Sequence, residues 1–179
     1  MSKSQVGAVR PGARLGVDVG SVRIGVATSD PDASVATPLR TVRRDPAGVA
    51  DTAEVAHEAG ERGVLEIVVG LPLSMDGVER AAAQTARSWA VALAKQVPGV
   101  VVRLVDERLS TVDAQRALHA AGRTARTSRE IIDQQAAVLI LQAALDSERV
   151  SGHAPGEIVG GRKPRTRQSR RRPSEGRPG

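Results

Sequence analysis

Three acidic positions, far apart in the chain, stand where a carboxylate is expensive. Asp18 interrupts Leu15-Gly-Val-Asp-Val-Gly20, a strand-like run with Leu15, Val17 and Val19 on one face and Gly16, Asp18 and Gly20 on the other. A charge in a central strand is costly unless it is paired or bound to a cation. The flanking glycines leave space beside Asp18, and strand ends in such sheets commonly carry functional sites. The competing account is a hydrogen-bonded structural Asp. Asp133 repeats the anomaly on a helix. At about 100° per residue its stripe also holds Ala136, Ala137, Ile140 and Ala144, while Gln135, Gln142 and Asp146 lie nearly opposite. Asp133 is therefore expected to face the sheet. A first-turn Asp favoured by the helix dipole is the weaker alternative. Asp106-Glu107-Arg108 follows the apolar run Val101 to Val105 and marks a strand end. Alone it reads as a solvated terminus, but two inward carboxylates need a third partner.

Carboxylates from separate elements suit a hard divalent ion, Mg²⁺ or Mn²⁺, which prefers oxygen ligands. The chain has no cysteine, and His57, His119 and His153 are scattered. Such sites serve phosphoryl chemistry, one ion activating water and another stabilising the leaving oxygen. Arg108 is placed either to stabilise charge on a phosphate or to pair with Asp106. A Gly-x-x-x-x-Gly-Lys-Ser/Thr segment is absent, and Gly20 and Gly25 flank a hairpin rather than a strand-to-helix turn. P-loop nucleotidases and dinucleotide binders are thereby excluded. Trp89 is the sole aromatic residue and its spacing with Ala82 and Leu93 makes it core. Nucleic acid would have to be held through phosphates, shape and arginine rather than an aromatic platform.

The elements that must position these groups alternate in a readable way. Arg14–Gly20 and Arg23–Ser29 form a hairpin about Ser21–Val22, and Val35–Arg43 is a third strand with Pro38 marking an edge or bulge. Asp45–Pro46 caps a helix that stops at Gly63, and Val64–Gly70 reads as a strand buried on both faces. Asp76 and Glu79 resemble a capping pair for a helix to Gln96, with Val78, Ala82, Trp89 and Leu93 along one side. Val100–Val105 is a fifth strand, Ser110 caps a short helix to Gly122, and Thr127–Glu130 opens a helix to Arg149. The expected architecture is an α/β domain: a five-stranded mixed sheet with helices on both faces.

The net charge of +6 falls entirely in residues 151–179, which hold eight basic and two acidic residues; the first 150 hold 18 of each sign. That segment is poor in large apolar residues and is expected to be a disordered basic tail, either an arm for a phosphate backbone or a solvated bystander. Residues 1–13 are expected to be a flexible extension and 14–150 the folded domain. No signal-peptide block or membrane span is legible, so a cytoplasmic protein without a membrane partner is expected.

Four ordered blocks carry a family resemblance: Gly16-Val-Asp-Val-Gly-Ser-Val-Arg-Ile-Gly-Val-Ala27, Val69-Gly-Leu-Pro-Leu-Ser-Met-Asp-Gly77, Asp106-Glu-Arg-Leu-Ser-Thr111 and Asp133-Gln-Gln-Ala-Ala-Val-Leu-Ile-Leu-Gln142. Over about residues 14–150 the chain resembles the YqgF/RuvX family. The resemblance implies a ribonuclease H-like fold related to RuvC-type junction resolvases. It also implies a bacterial cytoplasmic nuclease that processes the 5′ end of precursor 16S ribosomal RNA, in contact with pre-ribosomal particles. It makes Asp18, Glu107 and Asp133 the catalytic metal ligands for Mg²⁺ or Mn²⁺, with Asp106 as the alternative to Glu107. Ser21, Arg23, Arg108 and Thr111, all within these blocks, become the expected substrate contacts. Two other readings remain: a dimeric resolvase of branched DNA, and a non-catalytic RNA-binding assembly factor. The oligomeric state is open between monomer and homodimer.

Overall fold

The structure, a computed structural model, describes residues 9–110 and 126–160. The elements are β1 (Arg14–Val19), β2 (Arg23–Ser29), β3 (Ala36–Arg43), α1 (Ala50–Arg62), β4 (Glu66–Leu71), α2 (Ala81–Gln96), β5 (Val101–Asp106), a 3-10 turn (Glu107–Leu109), α3 (Arg126–Ser151) and β6 (Glu157–Ile158). They form one six-stranded sheet in the order β3-β2-β1-β4-β5-β6. β1 runs antiparallel to β2 and parallel to β4; β4 and β5 are also parallel.

The alternation in the strands divides two cores. Leu15, Val17, Ile24, Val26, Ile67, Val69, Val102 and Leu104 pack with Val55 of α1 and Trp89 and Leu93 of α2. The opposite face sends Ala27, Val68 and Val105 against Ala137, Ile140, Leu141, Ala144 and Leu145 of α3. Each fully buried Leu or Ile in these layers contributes about 1.5–3 kcal/mol. The small residues along α3 let its backbone come close to the sheet. A Cβ at Gly16 would stand 2.6 Å from Leu141 Cβ and 2.8 Å from the Ala137 carbonyl. The space beside Asp18 that Gly16 suggests is thus filled by the helix.

Several sequence expectations are adjusted by the structure. The sheet has a sixth strand rather than five, because Glu157–Ile158 pairs antiparallel with Arg103–Leu104 of β5. Val9 packs on the α3-side core, and Arg10 bonds Glu148 and Glu66, so residues 9–13 are held against the domain. Asp45 does accept from Ala47, Val49 and Ala50 N–H, but these close a turn, and α1 begins only at Ala50. Gly63 ends α1 in the left-handed conformation, as expected of a C-terminal glycine. Asp76 does not cap α2: it bonds Ser74, Val78 N–H and Arg80 inside the β4–α2 loop, while Glu79 pairs with Arg87. Val78 and Ala82 are exposed, and the buried side of α2 runs through Ala83, Ala86, Trp89, Ala90 and Leu93. Pro38 lies at the irregularity on the edge strand β3, where Leu39 is extra against Val26–Ala27. The helix expected over 110–122 falls almost wholly outside the described residues.

A network of buried charge closes the end of the sheet remote from Asp18. Arg14 is 1% exposed and Glu66 and Glu148 2% each. Arg10 and Arg14 both pair with Glu148, and Arg10 and Arg103 both pair with Glu66. Burial opposes the Glu148 carboxylate, but hydrogen bonds from Arg10 and the charge of Arg14 hold its pKa below the usual range. The network ties the first described residues, β4, β5 and the end of α3 together. Among the described residues no helix is long and apolar enough to cross a membrane.

Candidate active site

Asp18 is next to last in β1, and its cross-strand partner in β2 is Gly25. On its other side the parallel register pairs Val17 with Val69, so the next position brings Asp18 beside Gly70 of β4. Asp18 is thus the sole side chain in a row of three, flanked by glycines on both sides, on the face that receives α3.

Each glycine admits one of the other candidate groups. A Cβ on Gly25 would lie 1.8 Å from the Asp133 carbonyl oxygen, so α3 rests its backbone on β2 at that point. A Cβ on Gly70 would lie 2.7 Å from Glu107 Oε1 and 2.6 Å from Ile140 Cδ1. The Glu107 side chain therefore folds back over β4 toward Asp18. The 3-10 turn makes this possible: it reverses the chain directly after β5, with Glu107 O accepting from Ser110 Oγ at 2.6 Å.

The electrostatics report the convergence. Burial, and then the charge of Asp133, push the Asp18 pKa up to about 6. Burial, then Asp18 and then Asp106, push Glu107 up to about 7. Asp106 is turned the other way. Its carboxylate takes Arg108 Nε and Nη2 and the Arg108 N–H, and the side-chain bond to Arg108 holds its pKa below the ordinary range. Of the two neighbouring acids, Glu107 is the one that faces Asp18.

The remaining expected contacts lie round the same end of the sheet. Arg23 opens β2 on the Asp18 face and its Nε donates to Asp133 Oδ2 at 2.8 Å. Ser21 is exposed in the β1–β2 turn. Arg108 is engaged by Asp106 beside Gly77 of the β4–α2 loop. Thr111 lies outside the described residues. His57 and His153 are exposed, and Trp89 is core, donating to the buried Asp51 carboxylate at 3.2 Å.

Among the described residues no three acidic or imidazole side chains already stand as a finished metal cage. The donor chemistry nevertheless fits a hard divalent cation. The converging groups are carboxylates, two of them half-buried, with pKa values raised first by desolvation and then by a neighbouring carboxylate, Asp133 for Asp18 and Asp18 for Glu107, and a cation relieves that repulsion.

Sequence reasoning missed Gly25 and Gly70 as parts of this site, and it missed the Arg23–Asp133 pair. Both glycines sit in the quoted motif blocks, but only strand register shows that they flank Asp18.

The family model described as RuvX, Holliday junction resolvase, matches residues 12–147. The chain belongs to the RuvX family. A relative from Kineococcus radiotolerans named "Putative pre-16S rRNA nuclease" is 57% identical over 92% of this chain and 86% of its own length. One of the same name from Clavibacter michiganensis is 52% identical over 84% and 93%. Among solved structures, Thermus thermophilus RuvC in complex with a Holliday junction substrate matches with a TM-score of 0.53 at 16% identity. That likeness covers 82% of this chain and 99% of the other and establishes the shared ribonuclease H-like fold. The two cores of this RuvX-family chain, divided by a mixed sheet, are the form that fold takes here.

Proposed function

We propose that this chain is a divalent-metal-dependent endonuclease that hydrolyses phosphodiester bonds in structured RNA, with the 5′ end of precursor 16S ribosomal RNA as substrate. The observation that carries the reading is the glycine-flanked Asp18, with Glu107 and Asp133 brought to it from two other elements. Asp18, Glu107 and Asp133 would hold Mg²⁺ or Mn²⁺, and Asp106 is assigned to orienting Arg108. When bound, the ion supplies an activated water and charge stabilisation for the leaving oxygen. The chain's own part is positioning. Gly25 fixes the Asp133 backbone, the 3-10 turn aims Glu107, and the packed α3 face partly desolvates Asp18, which strengthens the interactions there. Arg108, Arg23, Ser21 and Thr111 are proposed to hold the phosphate backbone. The RNA reading is favoured by the names of the similar relatives.

The family model's own description favours a second reading, resolution of a four-way DNA junction, which needs two equivalent cuts and hence a dimer. The deciding experiment incubates the purified full chain with a precursor 16S rRNA fragment and with a synthetic junction, with and without Mn²⁺, alongside Asp18→Asn. Mn²⁺-dependent cleavage of the RNA that is lost in D18N supports the proposal. Paired cuts in the junction alone would transfer it to DNA. Processing by D18N equal to wild type would leave only a non-catalytic assembly role.

A further inference from the structure

The Arg23–Asp133 pair differs from the arginine–carboxylate pairs that hold this fold together. Arg14 and Glu148 are 1% and 3% exposed in their side chains and sit in a shared network. Arg23 and Asp133 are 27% and 24% exposed and are joined by one hydrogen bond, Nε to Oδ2 at 2.8 Å. Pairs open to solvent in this way contribute little net stability. Nothing in the packing requires the pair, because the Asp133 backbone is already seated on Gly25. Arg23 lies two residues before Gly25 on the same face of β2, so the Asp133 carboxylate is held by Arg23 beside the row formed by Asp18 and Gly25.

We propose that Arg23 is a positioning residue that stands in for the metal ion, holding the Asp133 carboxylate in the metal-free protein and yielding it when the ion enters. The proposal rests on Asp18, Glu107 and Asp133 being the metal ligands. It accounts for two observations together: the three carboxylates converge, yet they do not form a finished cage. A carboxylate turned to Arg23 is not turned to the ion, and the guanidinium repels a second cation brought close to it, so metal and guanidinium compete for Asp133. Competition lowers the apparent metal affinity by the fraction of molecules in which Asp133 is released. It also delivers a freed guanidinium to the rim of the site at the moment the ion is bound.

The test is calorimetric titration of Mn²⁺ into the full chain without nucleic acid. Arg23→Gln is expected to bind Mn²⁺ about three- to tenfold more tightly than wild type. Arg23→Lys, which keeps a competing cation, is expected to stay within about twofold of wild type. Equal or weaker binding by R23Q overturns the proposal. A second measurement needs no variant: Mg²⁺ titrated into nitrogen-15-labelled wild type should shift the Arg23 Nε–H resonance as the bond to Asp133 breaks. A resonance that stays in place at saturation overturns the exchange, including the case in which R23Q gains affinity through charge alone. Mn²⁺ bound by wild type, lost in Asp18→Asn and unaffected in R23Q sinks only the role of Arg23. No Mn²⁺ binding by wild type or R23Q sinks the ligand assignment as well.

Discussion

The Asp133 carbonyl oxygen occupies the place where a side chain on Gly25 would begin, 1.8 Å from an ideal Cβ. Gly25 is also the cross-strand partner of Asp18. One absent methyl group therefore sets the height of α3 above the sheet and the approach of one acidic residue to another.

Gly25→Ala is expected to lower stability by about 3 kcal/mol or more, because the obstacle is backbone and cannot rotate away. Gly60→Ala is the control: nothing lies within 4 Å of its Cβ position, and it sits exposed inside α1. That change is expected to raise stability by about 0.5–1 kcal/mol. Urea unfolding of both variants checks the pair, and a G25A midpoint equal to wild type would contradict the close seating of α3.

Gly70→Ala should separate folding from chemistry. The atoms it meets are side-chain ends, Glu107 Oε1 and Ile140 Cδ1, which can shift. A cost of about 1–2 kcal/mol in stability is expected. Metal affinity should fall much further, by about ten- to a hundredfold, because Glu107 loses its seat beside Asp18. Calorimetric Mn²⁺ binding together with a thermal melt distinguishes the two effects.

Glu107→Gln and Asp106→Asn compare neighbours that differ only in which way they face. E107Q is expected to abolish metal-dependent cleavage. D106N frees Arg108 from its carboxylate and is expected to weaken RNA binding while cleavage at saturating substrate persists. Single-turnover cleavage with titrated RNA tests this, and the reverse ranking would move the ligand assignment to Asp106.

The metal-free protein should lose stability as pH rises from about 4 to about 8. Asp18 and Glu107 are raised in the fold to about 6 and about 7, above their ordinary values. Across that window the folded state binds more protons than the unfolded chain, so the slope of stability against pH is negative. Together the two groups are expected to contribute a loss of several kcal/mol, complete near pH 8, about one unit above the raised Glu107 value. Asp18→Asn should flatten the slope, and Mn²⁺ should restore more stability at pH 8 than at pH 5. Chemical unfolding across pH in the presence of chelator measures it, and a flat wild-type profile would deny the burial of these acids.

Deleting residues 161–179 removes eight basic residues and one acidic residue. If that segment is an arm for RNA, affinity should drop at low salt and the dependence of affinity on salt should become shallower. Cleavage chemistry at saturating RNA should be unchanged. Binding measured over a range of salt concentrations checks it; an identical slope would make the segment a bystander.

Much of this molecule is written in local pattern. Period-two alternation in Arg14–Gly20 and a mostly apolar run over Val64–Gly70 marked strands, Gly63 marked the end of α1, and the alanine stripe of α3 marked a helix lying close to a sheet. Asp18 and Asp133 stood out because a carboxylate on a buried face has a free-energy cost visible from sequence alone. Register is different, because it depends on which strands pair and by how many residues they are offset. Only the paired strands show that Gly25 and Gly70 flank Asp18, and only the 3-10 turn after β5 turns Glu107 inward and leaves Asp106 to Arg108. The same holds for Arg23 and Asp133, 110 positions apart, and for Glu66 and Glu148, which read as ordinary strand and helix residues. Burial and charge type are properties of single residues and local spacing. Which charges meet is decided by chain segments that touch only once the sheet and α3 have closed on each other.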